Sequence, residues 1–283
     1  MKKQKVWLVT GASKGFGFEI TKSALENGDR VVATVRNNPE ELCNAFPDNP
    51  NLLSLVLDVT RELDGWSAVD AAIQKFGRID VLVNNAGYSL FSAVEEASDA
   101  EVRKQFDTNV FGVLNVLRAV LPIMRKQKSG HIINISALYG FAVELPGYGI
   151  YGATKFAIEG ISEGLAIELK PLGIHVTVVE PGMFTTGLLD SSSMAEAKHI
   201  IADYEDTVGY IRKGIPSFNG KQPGSPAKFG RAIVALSNAP EPPVHLPLGN
   251  DSAKVYRTKA VLMDRELEAW KELTGSTDHN KIL

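Results

Sequence analysis

The sequence predicts an α/β fold: a doubly wound parallel sheet of about seven strands with helices on both faces. Three observations predict it. Short β-branched runs alternate with longer stretches of helical period. The runs are apolar at successive positions, as expected of strands covered on both sides. The first run also enters the first helical stretch through a glycine-rich turn, Gly11 to Gly17.

In chain order, strands are expected at Val6–Thr10, Arg30–Val35, Leu52–Leu57, Ile79–Val83, His131–Ile135 and His175–Val179, with a short seventh at Val244–Leu248. Helical period falls at Phe18–Asn27, Trp66–Phe76, Asp99–Lys126 and Thr154–Leu169. No internal repeat or linker interrupts the pattern before residue 180. Beyond Pro181 it loosens: Asp190–Lys213 reads as one or two helices, Gly214–Pro226 as a Gly/Pro/Ser-rich loop, and Ala253–Leu273 as a terminal helix. The whole chain, 1–283, reads as a single dinucleotide-binding domain, with an insertion at about 187–226 placed to cover a substrate.

Composition narrows the function. The 283 residues are 44% hydrophobic with a formal charge of −3, a balance that argues against a nucleic-acid partner. No apolar run reaches the roughly 18 residues that span a bilayer. The apolar run after the basic N-terminal residues is too short for a signal peptide, so a cytoplasmic protein without membrane contact is expected. Cys43 is the single cysteine, which excludes an internal disulfide. The five histidines show no ligand spacing, and no metal is expected. His131 and His175 stand at strand starts, satisfied or exposed; Asp48, Asp70 and Asp80 read as loop or helix-surface carboxylates; Phe16 and Phe18 read as packing residues beside the glycine turn.

The turn Gly11-Ala12-Ser13-Lys14-Gly15-Phe16-Gly17 sits where backbone N–H groups and a helix N-terminus can meet a pyrophosphate. Its G-x-x-x-G-x-G spacing differs from G-x-G-x-x-G, and such glycines also serve plain tight loops. The second strand ends Ala33-Thr34-Val35-Arg36, without the carboxylate that binds the ribose hydroxyls of NAD. Arg36, with Lys14 inside the turn, favours the 2′-phosphate of NADP(H).

Tyr151 and Lys155, four apart on a helix, face one space. A cation about 4 Å from a phenol, at an effective dielectric of about 20, is worth roughly 4 kcal/mol, or about three pK units. That would bring Tyr151 towards neutrality as an acid/base. Taken alone, the pair occurs on many ordinary helices.

Together these segments resemble the short-chain dehydrogenase/reductase superfamily, a Rossmann-type family, over about residues 5 to 188. The resemblance is carried by Thr10 to Gly17, Asp58, Asn84-Asn85-Ala86-Gly87, Asn109, the Tyr151/Lys155 pair, and Pro181-Gly182 with Thr186, in that order. It implies an NADP(H)-dependent alcohol dehydrogenase or carbonyl reductase acting on a small-molecule carbonyl or alcohol. By the same resemblance, Tyr151, Lys155, Asn109 and Ser136 are the catalytic candidates, Asn109 holding a proton-relay water. Gly11, Ser13, Lys14, Gly15, Phe16, Gly17, Arg36, Asp58, Asn85, Ala86, Gly87, Asn109, Tyr151, Lys155, Pro181, Gly182 and Thr186 would meet the cofactor. A homodimer or homotetramer is also implied. The substrate pocket is expected at Leu90, Phe91, Ala142–Tyr148 and residues of Met183–Lys213, a largely apolar wall suited to a hydrophobic small molecule.

One segment departs from the family pattern. Ala137 falls where relatives carry a substrate-orienting serine, and Ser136 precedes it. Either Ser136 has moved into the role or that hydrogen bond is missing. The departure supports a rival reading, a catalytically weakened NADP-binding regulatory protein. The intact Tyr151, Lys155 and Asn109 oppose it. An epimerase or dehalogenase is a further rival, the latter disfavoured by the complete glycine turn.

Overall fold

The computed structural model describes residues 4–190 and 193–279. In chain order, β1 is Val6–Val9, α1 Gly15–Glu26, β2 Arg30–Val35, α2 Pro39–Ala45, β3 Leu52–Val56 and α3 Glu62–Phe76. Then come β4 Val81–Asn84, β5 Ser89–Phe91, α4 Asp99–Phe106, α5 Gly112–Gln127, β6 Gly130–Ile135, α6 Gly149–Leu169 and β7 Ile174–Pro181. The chain continues through β8 Met194–Glu196, α7 Tyr210–Phe218, α8 Pro226–Ser237, β9 His245–Leu248, α9 Asn250–Ala269 and α10 Lys271–Gly275.

Seven strands form one parallel sheet in the order β3-β2-β1-β4-β6-β7-β9. Side chains alternate across it. Leu8, Val32, Leu82, Ile132 and Val176 pack under Ala68 and Val69 of α3, Val116 of α5 and Ile158 of α6. Trp7, Val9, Val31, Val83 and Ile133 face Ile20 of α1 with Phe229 and Ile233 of α8. Strand order reverses between β1 and β4, so a crevice opens there at the strand C-termini, where ligands bind in such sheets. The Rossmann-type expectation holds.

Three expectations need correction. The helix expected over Asp99–Lys126 is continuous over 99–127 but is not α throughout, widening into a π-helical turn at Asp107–Phe111. Gly112, just past that turn, packs so closely on Val59 that a Cβ would lie 2.6 Å from its Cγ2. The Gly214–Pro226 loop is shorter than expected, because α7 runs on to Phe218 with Pro216 inside it. Asp80 is no surface carboxylate: Oδ2 accepts the Val6 N–H at 2.9 Å, and Arg78 grips both oxygens.

The stretch 99–127 is, among the described residues, long and apolar enough to cross a membrane by composition alone. Its Val113, Val116, Leu117, Val120 and Met124 lie in the core, so it is a core helix of this fold.

Candidate active site

Two loops close on each other at the crevice. Thr10 Oγ1 accepts the backbone N–H groups of Asn85 and Ala86 at 3.0 and 3.1 Å. Asn85 Nδ2 donates to the carbonyls of Thr10 and Gly11 at 2.9 and 3.0 Å. This clamp requires glycine at two positions. Gly11 has φ +66°, and a Cβ there would sit 2.9 Å from Ala86 Cα. A Cβ on Gly17 would collide with the Gly11 carbonyl and stand 2.6 Å from Asn85 Nδ2. Backbone N–H groups at the N-terminus of α1 therefore face an open cradle, suited to an anionic pyrophosphate.

A cavity of about 670 Å³ runs from this cradle to Tyr151. It is lined by Gly11, Ser13, Lys14, Gly15, Phe16, Arg36, Asp58, Asn85, Ala86, Gly87, Ser136, Tyr151, Lys155, Pro181, Gly182 and Thr186. All but two of the sequence-predicted residues thus meet around one space. The exceptions stand just behind it. Gly17 supports the turn, and Asn109 lies in the π-helical turn with its side chain engaged. Asn109 Nδ2 donates to the Tyr88 carbonyl at 3.0 Å and to Thr154 Oγ1 at 3.2 Å, while Oδ1 accepts the Tyr88 N–H. The Phe16 ring is stacked on Phe229 at 3.8 Å and meets Phe184 edge-on, as a packing residue does. Asp58 holds the next turn, Oδ1 accepting from Thr60 N and Oγ1 at 3.0 and 2.8 Å.

Tyr151 and Lys155 are both buried on the first turns of α6. Lys155 Nζ donates to the Ile135 carbonyl at 2.8 Å and lies 5.6 Å from the Tyr151 ring centroid. The expected lowering of the Tyr151 pKa is overturned. Burial, reinforced by neighbouring Tyr148, pushes the phenol above its ordinary value. Burial also brings the Lys155 ammonium down to about 8, against the opposing pull of Glu159. Desolvation outweighs the attraction assumed from spacing because both groups are withdrawn from water together. Tyr151 is consequently a protonated donor at neutral pH.

Ser136 lines the cavity, but its Oγ is turned elsewhere. A Cβ placed on Gly140 would strike that Oγ and lie 2.6 Å from Glu159 Oε1, so the hydroxyl sits against Gly140 and Glu159. Ser136 N–H still bonds the Val179 carbonyl at 2.8 Å, and Ala137 is extended at φ −166°, ψ 165°. Successive extended residues face opposite ways. The orientation matches the second alternative, in which Ser136 does not supply that hydrogen bond.

The pocket expectation is partly corrected too. Leu90 and Phe91 are buried in the core and do not line the cavity; Phe91 meets Tyr148 edge-on at 5.1 Å. Met183, Leu188, Leu189 and Met194, from the expected Met183–Lys213 segment, do line it, whereas Ala142–Tyr148 does not. The segment carrying them is pinned to the body by β5–β8 pairing and by buried Glu96. Glu96 accepts from Arg212 at 2.8 Å and from the Ala93 and Ile201 N–H groups, which hold its carboxyl below the usual range despite burial.

Sequence reading misses several other residues. Tyr139 stacks on Tyr148 at 4.7 Å and stands edge-on to Tyr151, walling the phenol with aromatic rings. Asp251 Oδ2 accepts the Met183 N–H at 2.6 Å and so orders the Pro181-Gly182 turn. Glu159, Glu180 and His245 bring ligand atoms within 4.8 Å of one another. They come from α6, β7 and β9, and no spacing rule joins them.

With this geometry in place, comparison with known proteins is decisive. The family model for short chain dehydrogenase matches residues 5–197. The chain belongs to the short-chain dehydrogenase family. It is 37% identical over 272 residues to oxidoreductase BOA17 of Botryotinia fuckeliana, covering 95% of this chain and 98% of that one. It is 39% identical over 245 residues to the 3-ketodihydrosphingosine reductase of Bacteroides thetaiotaomicron, covering 87% and 88%. Among solved structures, a short-chain dehydrogenase from Streptomyces avermitilis superposes with a TM-score of 0.88 at 38% identity, covering 98% of this chain and 100% of that one. ElxO with NADP bound gives 0.72 at 29% identity, covering 87% and 97%. The chain is an oxidoreductase of this family.

Proposed function

We propose that this oxidoreductase transfers hydride between NADP(H) and the carbonyl or alcohol of a hydrophobic small molecule. The observation that carries the reading is a single cavity joining the glycine cradle to buried Tyr151 and Lys155. When bound, the nicotinamide gives or takes the hydride. Arg36 and Lys14 both line the cavity and favour a 2′-phosphate, and ElxO is a relative solved with NADP.

In the reductive direction Tyr151, protonated at neutral pH, donates a hydrogen bond and then its proton to the substrate oxygen. Lys155 spends one N–H on Ile135 and keeps two for a ribose and for the phenol. Asn109 fixes the backbone at Tyr88 and the start of α6 through Thr154, which holds the pair in place. Met183, Leu188, Leu189 and Met194 give the cavity an apolar wall. The insertion at about 187–226 covers the substrate, and the Bacteroides relative, a ketone reductase by name, agrees with a carbonyl substrate. Exposed Phe111, Phe156 and Ile167, around α5 and α6, support a homodimer or homotetramer.

The test is NADPH oxidation with a panel of hydrophobic ketones, alongside NADPH binding. Turnover with at least one ketone is expected. Tight NADPH binding with no turnover across the panel would instead favour the regulatory reading.

A further inference from the structure

Behind Lys155, away from the cavity, lies a buried acid pair. Tyr151, Lys155 and Glu159 follow at intervals of four on α6 and therefore share a face. Glu159 is 8% exposed and Glu180, on β7, is 0% exposed. Both Glu159 oxygens and Glu180 Oε2 are buried without a partner that meets hydrogen-bond geometry. Two carboxylates this close and this buried cannot both be ionised, so one proton is held between them.

The surroundings decide which keeps the charge. His245 Nδ1 lies 3.2 Å from Glu180 Oε1 and 3.5 Å from Glu159 Oε2, and its Nε2 lies 3.4 Å from Glu163. Tyr256 of α9 donates to Glu180 Oε1 at 3.3 Å. Ser136 Oγ, at the end of β6, is buried beside Glu159. Lys259, the next cation along α9 on this side, is turned to the Phe141 carbonyl. Glu159 has Lys155 and Ser136 beside it; His245 touches both acids and is nearer Glu180, which Tyr256 also reaches, but Glu180 is the more deeply buried. Burial pushes both carboxyls above the usual range, and Lys155 with Ser136 draws the charge to Glu159, leaving the proton on Glu180.

We propose that Glu159 and Glu180 form a one-proton dyad whose single negative charge keeps the buried Lys155 ammonium charged beside Tyr151. Glu159 is a positioning residue that acts through Lys155, and Glu180 carries the proton that leaves Glu159 with the charge. The inference rests on the hydride-transfer reading for its purpose, though not for its existence.

Three measurements test it. Lysine NMR of the protein without cofactor follows the Lys155 titration, assigned with Lys155→Met. Glu159→Gln should lower its midpoint by about one pH unit or more, and the basic limb of kcat/KM for ketone reduction should fall with it. Glu180→Gln keeps a donor towards Glu159 and should leave both unmoved. Infrared spectroscopy of the wild type at neutral pH should show a protonated carboxyl band that Glu180→Gln removes. An unmoved Lys155 midpoint in Glu159→Gln, or a larger shift in Glu180→Gln, overturns the proposal. So does a wild type lacking the band, and that result holds even where Glu159→Gln does not fold. Failure of the hydride-transfer reading leaves a different mark: no turnover in any variant, with the band and the lysine shift intact.

Discussion

Replacing Gly17 with alanine should weaken NADPH binding severely while leaving the fold standing. The added Cβ would collide with the Gly11 carbonyl and lie 2.6 Å from Asn85 Nδ2, and both neighbours belong to the cofactor cradle. Overpacking of this kind costs about 1–3 kcal/mol. Displacing Asn85 also strains its bonds to Thr10 and Gly11, worth about 1 kcal/mol net. The sum, about 2–4 kcal/mol, corresponds to roughly 30- to 1000-fold in dissociation constant. Gly160→Ala is the control: it lies on α6, and a Cβ added there would meet nothing within 4 Å. Removing a helical glycine there should raise stability by about 0.5–1 kcal/mol and leave affinity unchanged. Calorimetric titration with NADPH, beside thermal unfolding of each variant, reads both. A folded Gly17→Ala protein that binds NADPH within two-fold of wild type would refute the placement of the pyrophosphate in this cradle.

Arg36→Asp should reverse or erase a preference for NADPH over NADH; equal wild-type dissociation constants for the two cofactors would contradict the role given to Arg36 and Lys14. Ketone reduction should decline as pH rises through about 8, because the Lys155 ammonium loses its proton there while Tyr151 keeps its own; a rate constant flat to well above that pH would count against the pair. His131 is buried and bonds Thr177 Oγ1 at 2.9 Å; since Thr177 donates to the Pro243 carbonyl, His131 Nε2 must be the donor. Burial depresses its pKa to about 3, so its stabilising contribution is present above the unfolded value and is lost as pH falls from about 6.5 towards 3. Urea unfolding should therefore show wild type losing up to about 3 kcal/mol more than His131→Gln between neutral pH and pH ~4; parallel losses would refute the assignment.

What is legible in the sequence is what is local. The seven sheet strands and the long helices announce themselves by continuous apolar runs and by period. Helices begin earlier than the period indicates, at Gly15 rather than Phe18 and at Gly149 rather than Thr154, because first turns lie outside the apolar periodicity. Helix α8 falls outside the expected elements although Ser225 caps it and Pro226 opens it, the usual start signals. Strands β5 and β8 are three residues each and pair across a long separation, so neither carries a local signature. The site divides the same way. The glycine turn, the Asn85 loop and the Tyr151/Lys155 pair are contiguous or one helical turn apart. The direction of Ser136, the clamp on Arg212 by Glu96, and the meeting of Glu159, Glu180 and His245 depend on tertiary packing. So does the balance that raises the Tyr151 pKa, where burial overrides what spacing alone suggests.

The most direct test of the account is Tyr151→Phe, assayed with a turned-over ketone and by NADPH titration. Loss of the phenol removes the proton donor and leaves the cradle, Arg36 and Lys155 untouched. Turnover should be abolished with NADPH affinity within a few-fold of wild type. A variant that keeps most of the wild-type rate on the same ketone would contradict it.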